Sequence, residues 1–229
     1  TVTGLETSTL YHYRVAASNS AGTSYGEDKT FTTGYPAKWL VNGKEASLAP
    51  VKVEGTLTVK DTGLEVAAEC AVTEIGVVLG AGGSIEKVTG AKGETTVTCR
   101  PIQTGWCGTA AIEVNAAYLS WSTELVEVPI ENGKGEIHYE ARLRYYGTSQ
   151  SGWTIKCAFM GSIATDNCLG ESSGNVKNVT AGVTVGLDSK SPALACIGSA
   201  IGTGSVEGTL TLKSTEEGKT FSVYGAPGP

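Results

Sequence analysis

Apolar and polar positions alternate along many short stretches of this 229-residue chain. The clearest stretch lies in residues 136–146 and gives one face to Ile137, Tyr139, Ala141, Leu143 and Tyr145. Successive side chains of a strand point to opposite faces, so this period of two predicts a half-buried strand. No window of the sequence shows the apolar spacing of an amphipathic helix.

The same pattern predicts strands over most of the chain, separated by turns rich in Gly, Ser and Asn. The predicted strands of the larger part are Val51–Lys60, Leu64–Cys70, Thr95–Cys99, Ala111–Leu119, Glu136–Tyr146, Trp153–Phe159, Val179–Leu187, Ser205–Leu212 and Lys219–Tyr224. Asn132–Gly135 and Gly147–Gly152 are predicted hairpin loops. Many short strands with turn signals between them are typical of a β-sandwich or jelly-roll, so the predicted fold class is all-β.

The first 34 residues predict a separate β-hairpin. Tyr11, Tyr13, Val15 and Ala17 alternate with their neighbours, a polar loop comes next, and Lys29–Thr33 is a second strand-forming run. Because a lone hairpin is only marginally stable in water, we expect it to dock on the larger part of the chain or to open more readily than the rest.

The hairpin resembles the last two strands of a fibronectin type III domain. The residues that carry the resemblance are Leu5, Thr9, Tyr11, Val15, Ala17, Asn19 and Gly22. The resemblance implies that Tyr11 forms a tyrosine corner, with its hydroxyl group bonded to upstream backbone. Thr7 and Ser8 depart from the Pro and Gly usual there, and the integrin-binding Arg-Gly-Asp loop is absent. The resemblance also implies that the first strands of that domain lie upstream and are covalently continuous with this chain.

The expected organisation is therefore a fibronectin-like fragment over residues 1–34, an all-β domain over residues 35–224 and a flexible tail over residues 225–229. The larger domain resembles secreted actinobacterial β domains of unassigned function. Three stretches carry this resemblance: Trp39 to Gly43, Leu119 to Leu125, and Asp166 to Gly170. It implies no known activity.

The six cysteines predict disulfides formed in an oxidising compartment. None belongs to a C-x-x-C pair and the chain has only two histidines, which argues against a zinc site. Short sequence separation favours Cys99–Cys107 and Cys157–Cys168, leaving Cys70–Cys196 as a long bridge. Other connectivities and six free buried thiols are the alternatives.

Two decapeptides far apart in the chain are nearly identical. VEGTLTVKDT at residues 53–62 matches VEGTLTLKST at residues 206–215 at all but two positions. One interpretation is convergence on good strand chemistry. The other is that the two segments are equivalent strands lying side by side at the two ends of one domain.

Composition excludes some functional classes. The formal net charge is −6 and the seventeen basic residues are scattered, whereas a nucleic-acid surface needs clustered positive charge. No apolar run approaches the length of a membrane span. We therefore expect neither a nucleic-acid partner nor a membrane span.

The sequence also gives little support for catalysis, cofactor binding or a metal site. Both G-x-S-x-G matches, at residues 22–26 and 170–174, lack the strand-then-helix context of a hydrolase elbow. Carboxylate pairs converge in space, so Glu124, Glu127, Asp166 and Glu171 stay unranked candidates. The prediction is that the chain is not an enzyme.

Aromatic residues offer the remaining candidate site. Trp153, Tyr145 and Tyr146 are candidates for a platform on which sugar rings stack, but ordinary core packing is the preferred interpretation. The preferred function is accordingly a non-catalytic extracellular or cell-surface module, a spacer or adhesion domain of a larger secreted protein. The alternative is a carbohydrate-binding module or accessory domain of a glycan-active enzyme. The expected partner is an unidentified protein or glycan at the cell surface.

Overall fold

The computed structural model describes residues 3–6, 9–34, 36–90, 92–108, 110–131, 137–146, 151–180, 182–188 and 193–224, with the backbone alone at 130–131 and 137–139. The predicted all-β class is confirmed, since strands make up nearly all the regular structure and one 3-10 turn spans Gly105–Cys107. The predicted tail at 225–229 and the loops at 132–135 and 147–150 lie outside the described residues.

The N-terminal hairpin contains four short strands, which form two successive antiparallel pairs. Its strands are β1 (Leu10–Tyr13), β2 (Ala16–Asn19), β3 (Gly22–Tyr25) and β4 (Lys29–Thr32). Within the part of the chain that is described, β1 pairs with β4 and β2 pairs with β3. Part of the predicted polar loop is a strand instead, because Gly22–Tyr25 pairs with Ala16–Asn19, and Ala21 N–H donates to Asn19 Oδ1 at 2.9 Å in the turn between them.

The larger domain contains the remaining strands. They are β5 (Lys38–Val41), β6 (Lys44–Glu45), β7 (Ala49–Asp61), β8 (Val66–Leu79), β9 (Gly82–Gly90), β10 (Val97–Gln103), β11 (Ile112–Ala117), β12 (Trp121–Glu131), β13 (Ile137–Tyr146), β14 (Gly152–Phe159), β15 (Ser162–Leu169), β16 (Ser172–Val179), β17 (Gly182–Leu187), β18 (Leu194–Gly198), β19 (Ile201–Ser214) and β20 (Phe221–Tyr224). All of the pairings among them are antiparallel.

Three long strands, β7, β8 and β19, organise the main sheet. From one end of these strands the sheet closes through β9, β12, β13, β16 and β17. From the other end it closes through β10, β11, β14, β15 and β18. The two closed rings share one continuous apolar core. Closure leaves few backbone groups of the long strands unpaired, which protects the sheet from edge-to-edge association.

The two similar decapeptides lie side by side. This confirms the interpretation that they are equivalent strands of one domain. Thr56 pairs with Thr209, its counterpart in the other copy, and the pairing is symmetric about this point. Gly55 and Gly208 lie next to this central pair. A Cβ on Gly55 would lie 2.2 Å from the carbonyl oxygen of Thr209, and a Cβ on Gly208 would lie 2.2 Å from that of Thr56. The repeated glycine therefore allows the two strands to approach each other closely.

The alternation predicted for β13 is confirmed wherever side chains are described. Ala141, Leu143 and Tyr145 are buried, whereas Arg142, Arg144 and the other intervening residues are half-buried. The side chains predicted inward at residues 137 and 139 lie outside the described residues.

The larger domain begins and ends on neighbouring strands. In the small sheet β20–β5–β6, Lys38 pairs with Tyr224. Fully buried Trp39 stacks on Phe221 with ring centroids 5.2 Å apart. The side-chain amide of Asn178 accepts from Val223 N–H at 2.8 Å and donates to its carbonyl oxygen at 2.9 Å, which fixes β20 to the main sheet.

Among the described residues there is no helix with the length and apolar character needed to cross a membrane.

Candidate functional site

The disulfide pairing differs from the prediction at every bridge. The bonds are Cys70–Cys99, Cys107–Cys157 and Cys168–Cys196, and no cysteine is free. The predictions of Cys99–Cys107, Cys157–Cys168 and Cys70–Cys196 are therefore wrong, although the prediction that all six cysteines are oxidised is confirmed.

Strand register explains the difference. Cys168 and Cys196 lie directly opposite each other on β15 and β18, with Cα atoms 3.9 Å apart. Cys157 and Cys168 lie on paired strands, but Cys168 is opposite Trp153, four residues from Cys157. That offset is about 13 Å along a strand, too far for a disulfide.

A small cavity in the core contains the most strongly perturbed acid. It is lined by Glu74, Tyr145, Trp121 and Trp153 together with small and aliphatic residues. Burial raises the pKa of Glu74 to about 8. Burial, followed by the nearby Glu74 charge, raises the pKa of Tyr145. Glu74 Oε2 and Tyr145 Oη are both buried without a hydrogen-bond partner among the described residues.

A second pair of buried acids lies beneath two tight turns. Asp61 Oδ1 accepts from Gly63 N–H at 2.7 Å and Leu64 N–H at 3.3 Å, while Asp166 Oδ1 accepts from Ala200 N–H at 3.0 Å. Burial raises the pKa of Asp61, the two backbone donors lower it, and the nearby Asp166 raises it further. Burial and a neighbouring carboxylate both disfavour the charged form of Asp61.

The chemistry open to the aspartate pair is limited by access. Their relative exposures are 1% and 0%, and a general acid or base must reach a proton on its substrate. The nearby sulfur atoms of Cys168 and Cys196 are joined to each other and so are not thiolate metal ligands. The hydrogen bonds of Asp61 and Asp166 instead hold the turns that follow β7 and β18 in place.

The candidate aromatic platform is not formed. Tyr145 and Trp153 are each 4% exposed, and Trp153 packs edge-on against Trp121 with centroids 5.1 Å apart. Rings enclosed in this way have no face available to a sugar. Tyr146 is half-buried, and the centroid of its ring lies 5.9 Å from the guanidinium carbon of Arg144. The preferred interpretation, ordinary core packing, is therefore confirmed for Tyr145 and Trp153.

The unranked carboxylates separate into different environments. Arg144 Nη2 donates to both carboxylate oxygens of Glu171, at 2.8 and 2.9 Å, and Glu124 lies 3.9 Å from Nη1. The bond to Glu171 is the main reason that the pKa of Arg144 is raised. Burial alone raises the pKa of Glu127. Arg144 on β13 therefore joins Glu124 on β12 to Glu171, the residue just before β16, in one ion-pair cluster.

An open groove runs over the outer face of β16, β17 and β19. It encloses about 510 Å³ and is lined by Asn175, Lys177, Thr184, Asp188 and Thr209 around two glycines. One of them, Gly186, leaves the floor open, since a Cβ there would meet nothing within 4 Å. Asn175 Oδ1 is buried and has no hydrogen-bond partner among the described residues.

Tyr11 makes the backbone contact that the resemblance implies. Glu6 N–H donates to Tyr11 Oη at 2.8 Å, and the Tyr11 ring stacks on Phe31 at 5.7 Å. Neither G-x-S-x-G match has a helix after it, since Ser24 lies within β3 and Ser172 begins β16.

Sequence reasoning missed Glu74 and Asp61. A signal for Glu74 was present, because it shares the inward positions of β8 with Val72 and Val78. Comparison with known proteins adds no assignment: no family model, curated protein or solved structure matches this chain.

Proposed function

We propose that this chain is a non-catalytic extracellular or cell-surface module that displays a rigid, disulfide-linked surface beside the polypeptide that carries it. The observation that carries this proposal is the pairing of β5 with β20, which places Lys38 beside Tyr224. Paired strands lie about 5 Å apart, so the domain adds almost no length between the segments joined to its two ends. A display role therefore fits the fold better than the spacer role.

Three further observations support the proposal. All six cysteines are in disulfides, as is usual in oxidising compartments. The two core acids with raised pKa values, Glu74 and Asp61, are almost fully buried, where no substrate reaches them, and Glu127, whose pKa burial also raises, is half-buried. The fibronectin-like residues 1–34 suggest a carrier built of repeated surface domains.

The display role predicts a short distance between the ends of the larger domain. We expect high resonance energy transfer between fluorescent domains fused before Lys38 and after Tyr224. The two attachment points are so close that the distance between the fluorophores depends only on the size of the fluorescent domains. In a domain of this size whose N and C termini lie at opposite ends, the termini are roughly 40 Å apart. Transfer as low as in a control fusion of that kind would contradict the display role.

The non-catalytic part of the proposal has its own test. Esters, peptides and polysaccharides are incubated with the chain, and turnover is not expected. Turnover that is lost in Asp61→Asn or Glu74→Gln variants of unchanged fold would show that the protein is an enzyme.

A second candidate function, glycan binding, is favoured by the groove rather than by the aromatic residues. The groove is within the usual size range of ligand sites. Its amide, hydroxyl, ammonium and carboxylate groups offer both donors and acceptors, which suit a polyhydroxylated ligand.

Glycan binding is tested by filling the groove. The unmodified chain is first screened on an array of neutral oligosaccharides to find one that it binds. Gly186→Thr places a side chain in the open space of the groove, so we expect an intact fold and at least a tenfold loss of binding to that oligosaccharide. Ala158→Thr on the exposed face of β14 is the matched control and should bind normally. Equal binding by both variants, or none by the unmodified chain, would remove this candidate.

A further inference from the structure

A small, mostly apolar cavity in the core is lined by both Glu74 and Tyr145, and each of these side chains has a buried oxygen without a protein partner among the described residues. We propose that one water molecule occupies it and bridges the Glu74 carboxyl group to the Tyr145 hydroxyl group. This inference does not depend on the proposed function.

Unsatisfied hydrogen-bonding groups favour a water in this cavity. Glu74 is 1% exposed and Tyr145 is 4% exposed, and each has an oxygen without a partner among the described residues. A buried polar group without a partner is costly, and ordered water is a common way in which proteins satisfy it. Both side chains line the same cavity, so a single molecule can serve both.

The cavity is also large enough for a water. The space open to the centre of a water-sized sphere is about 20 Å³, so a water molecule fits. The remaining lining includes the apolar side chains of Leu57, Trp121 and Val206. The space therefore admits a water molecule that can reach the polar groups on its wall.

Donors and acceptors around the cavity balance when one water is present. Because burial raises the pKa of Glu74 to about 8, this residue is mainly protonated at pH 6 and has an O–H to donate. Tyr145 brings a second O–H. A water accepts both and donates to Ser151 Oγ, which lines the cavity and itself donates to Gly170 O at 2.8 Å. These three bonds are the usual number for a buried water.

The test is a crystal structure of the full chain at pH 6, at a resolution that orders internal waters. We expect one peak within about 2.6–3.2 Å of both a Glu74 carboxyl oxygen and Tyr145 Oη. Water-to-protein magnetisation transfer to the Tyr145 and Trp121 side chains should show the same molecule in solution. A dry cavity, or a direct carboxyl-to-hydroxyl bond, would overturn the proposal.

Variants separate this bridge from a water held by other groups. Glu74→Gln keeps a polar partner and should keep the peak, as should the control Tyr146→Phe on the neighbouring position. The double variant Glu74→Leu with Tyr145→Phe removes both partners and should lose the peak. Retention of the peak in the double variant would contradict the bridge, and the unmodified chain provides the decisive measurement if that variant does not fold.

Discussion

Replacing Glu74 by glutamine is expected to stabilise the protein strongly in mild alkali and hardly at all in acid. In the folded chain the pKa of Glu74 is about 8, against 4.5 for the free side chain. Between these values the folded state keeps a proton that the unfolded state has released, so stability falls as the pH rises. Below pH 4.5 both states are protonated and the penalty is absent.

The expected magnitude depends on the pKa difference. A difference of this size corresponds to roughly 5 kcal/mol of unfolding free energy lost by pH 9. Glutamine is nearly isosteric and stays neutral, so the variant should unfold roughly 10 °C or more above the parent at pH 9. At pH 4 the two proteins should unfold within a few degrees of each other.

Thermal or urea unfolding at several pH values measures this effect. Glu113→Gln, on the exposed face of β11, is the matched control and should track the parent at every pH. The Glu74→Gln variant should retain some loss of stability with rising pH, because the pKa of Asp61 is also raised. Equal stability of Glu74→Gln and the parent at pH 9 would show that Glu74 ionises freely in the folded chain.

The sequence is informative where burial has a regular pattern. Alternation predicts the inward residues of β13, and the side-by-side placement of residues 53–62 and 206–215 is one of the two interpretations of their likeness. Both depend on local chemistry that is repeated along a strand. The all-β class depends on the same signals.

Polar residues inside the fold remove that signal elsewhere. No strand is predicted within residues 162–178, but these residues form most of β15 and β16. On β15 the inward set includes Asp166, and on β16 it includes Gly174, so neither strand shows a clean apolar face. Core packing of Trp153 and Tyr145, the preferred interpretation, follows from a clear signal, because large aromatic side chains on an inward face fill the core.

Disulfide pairing could not be predicted because it depends on which strands become neighbours. Cys70 and Cys99 are joined across β8 and β10, and these strands meet only because the sheet closes on itself. Sequence proximity instead favours cysteines on adjacent segments. In a sheet, adjacent segments bring cysteines together only when their register agrees.

Single cysteine replacements discriminate the observed pairing from the one favoured by proximity. In Cys107→Ala, the observed pairing leaves the thiol of Cys157 without its partner. Alkylation of the denatured, unreduced variant should therefore modify Cys157, while the unmodified chain should take up no label. Modification of Cys99 instead would support the proximity pairing.

Removing this bridge altogether is expected to have the second-largest effect on stability. Cys107–Cys157 has the widest sequence separation of the three bridges, 50 residues, against 29 and 28 for the others. Restricting a loop of that length in the unfolded chain contributes about 4 kcal/mol. The double variant Cys107→Ala with Cys157→Ala should lose that much unfolding free energy, and its melting temperature should fall by roughly 10 °C.

The double variant that removes Cys168–Cys196 is the matched comparison for this measurement. It should lose only about 0.5 kcal/mol less than the first double variant, because loop entropy grows slowly with length. If the variant without Cys107–Cys157 unfolded at the same temperature as the parent, the bridge would be absent or its benefit cancelled in the folded chain. The alkylation result would then decide between these two explanations, because an absent bridge leaves both thiols of the parent open to the label.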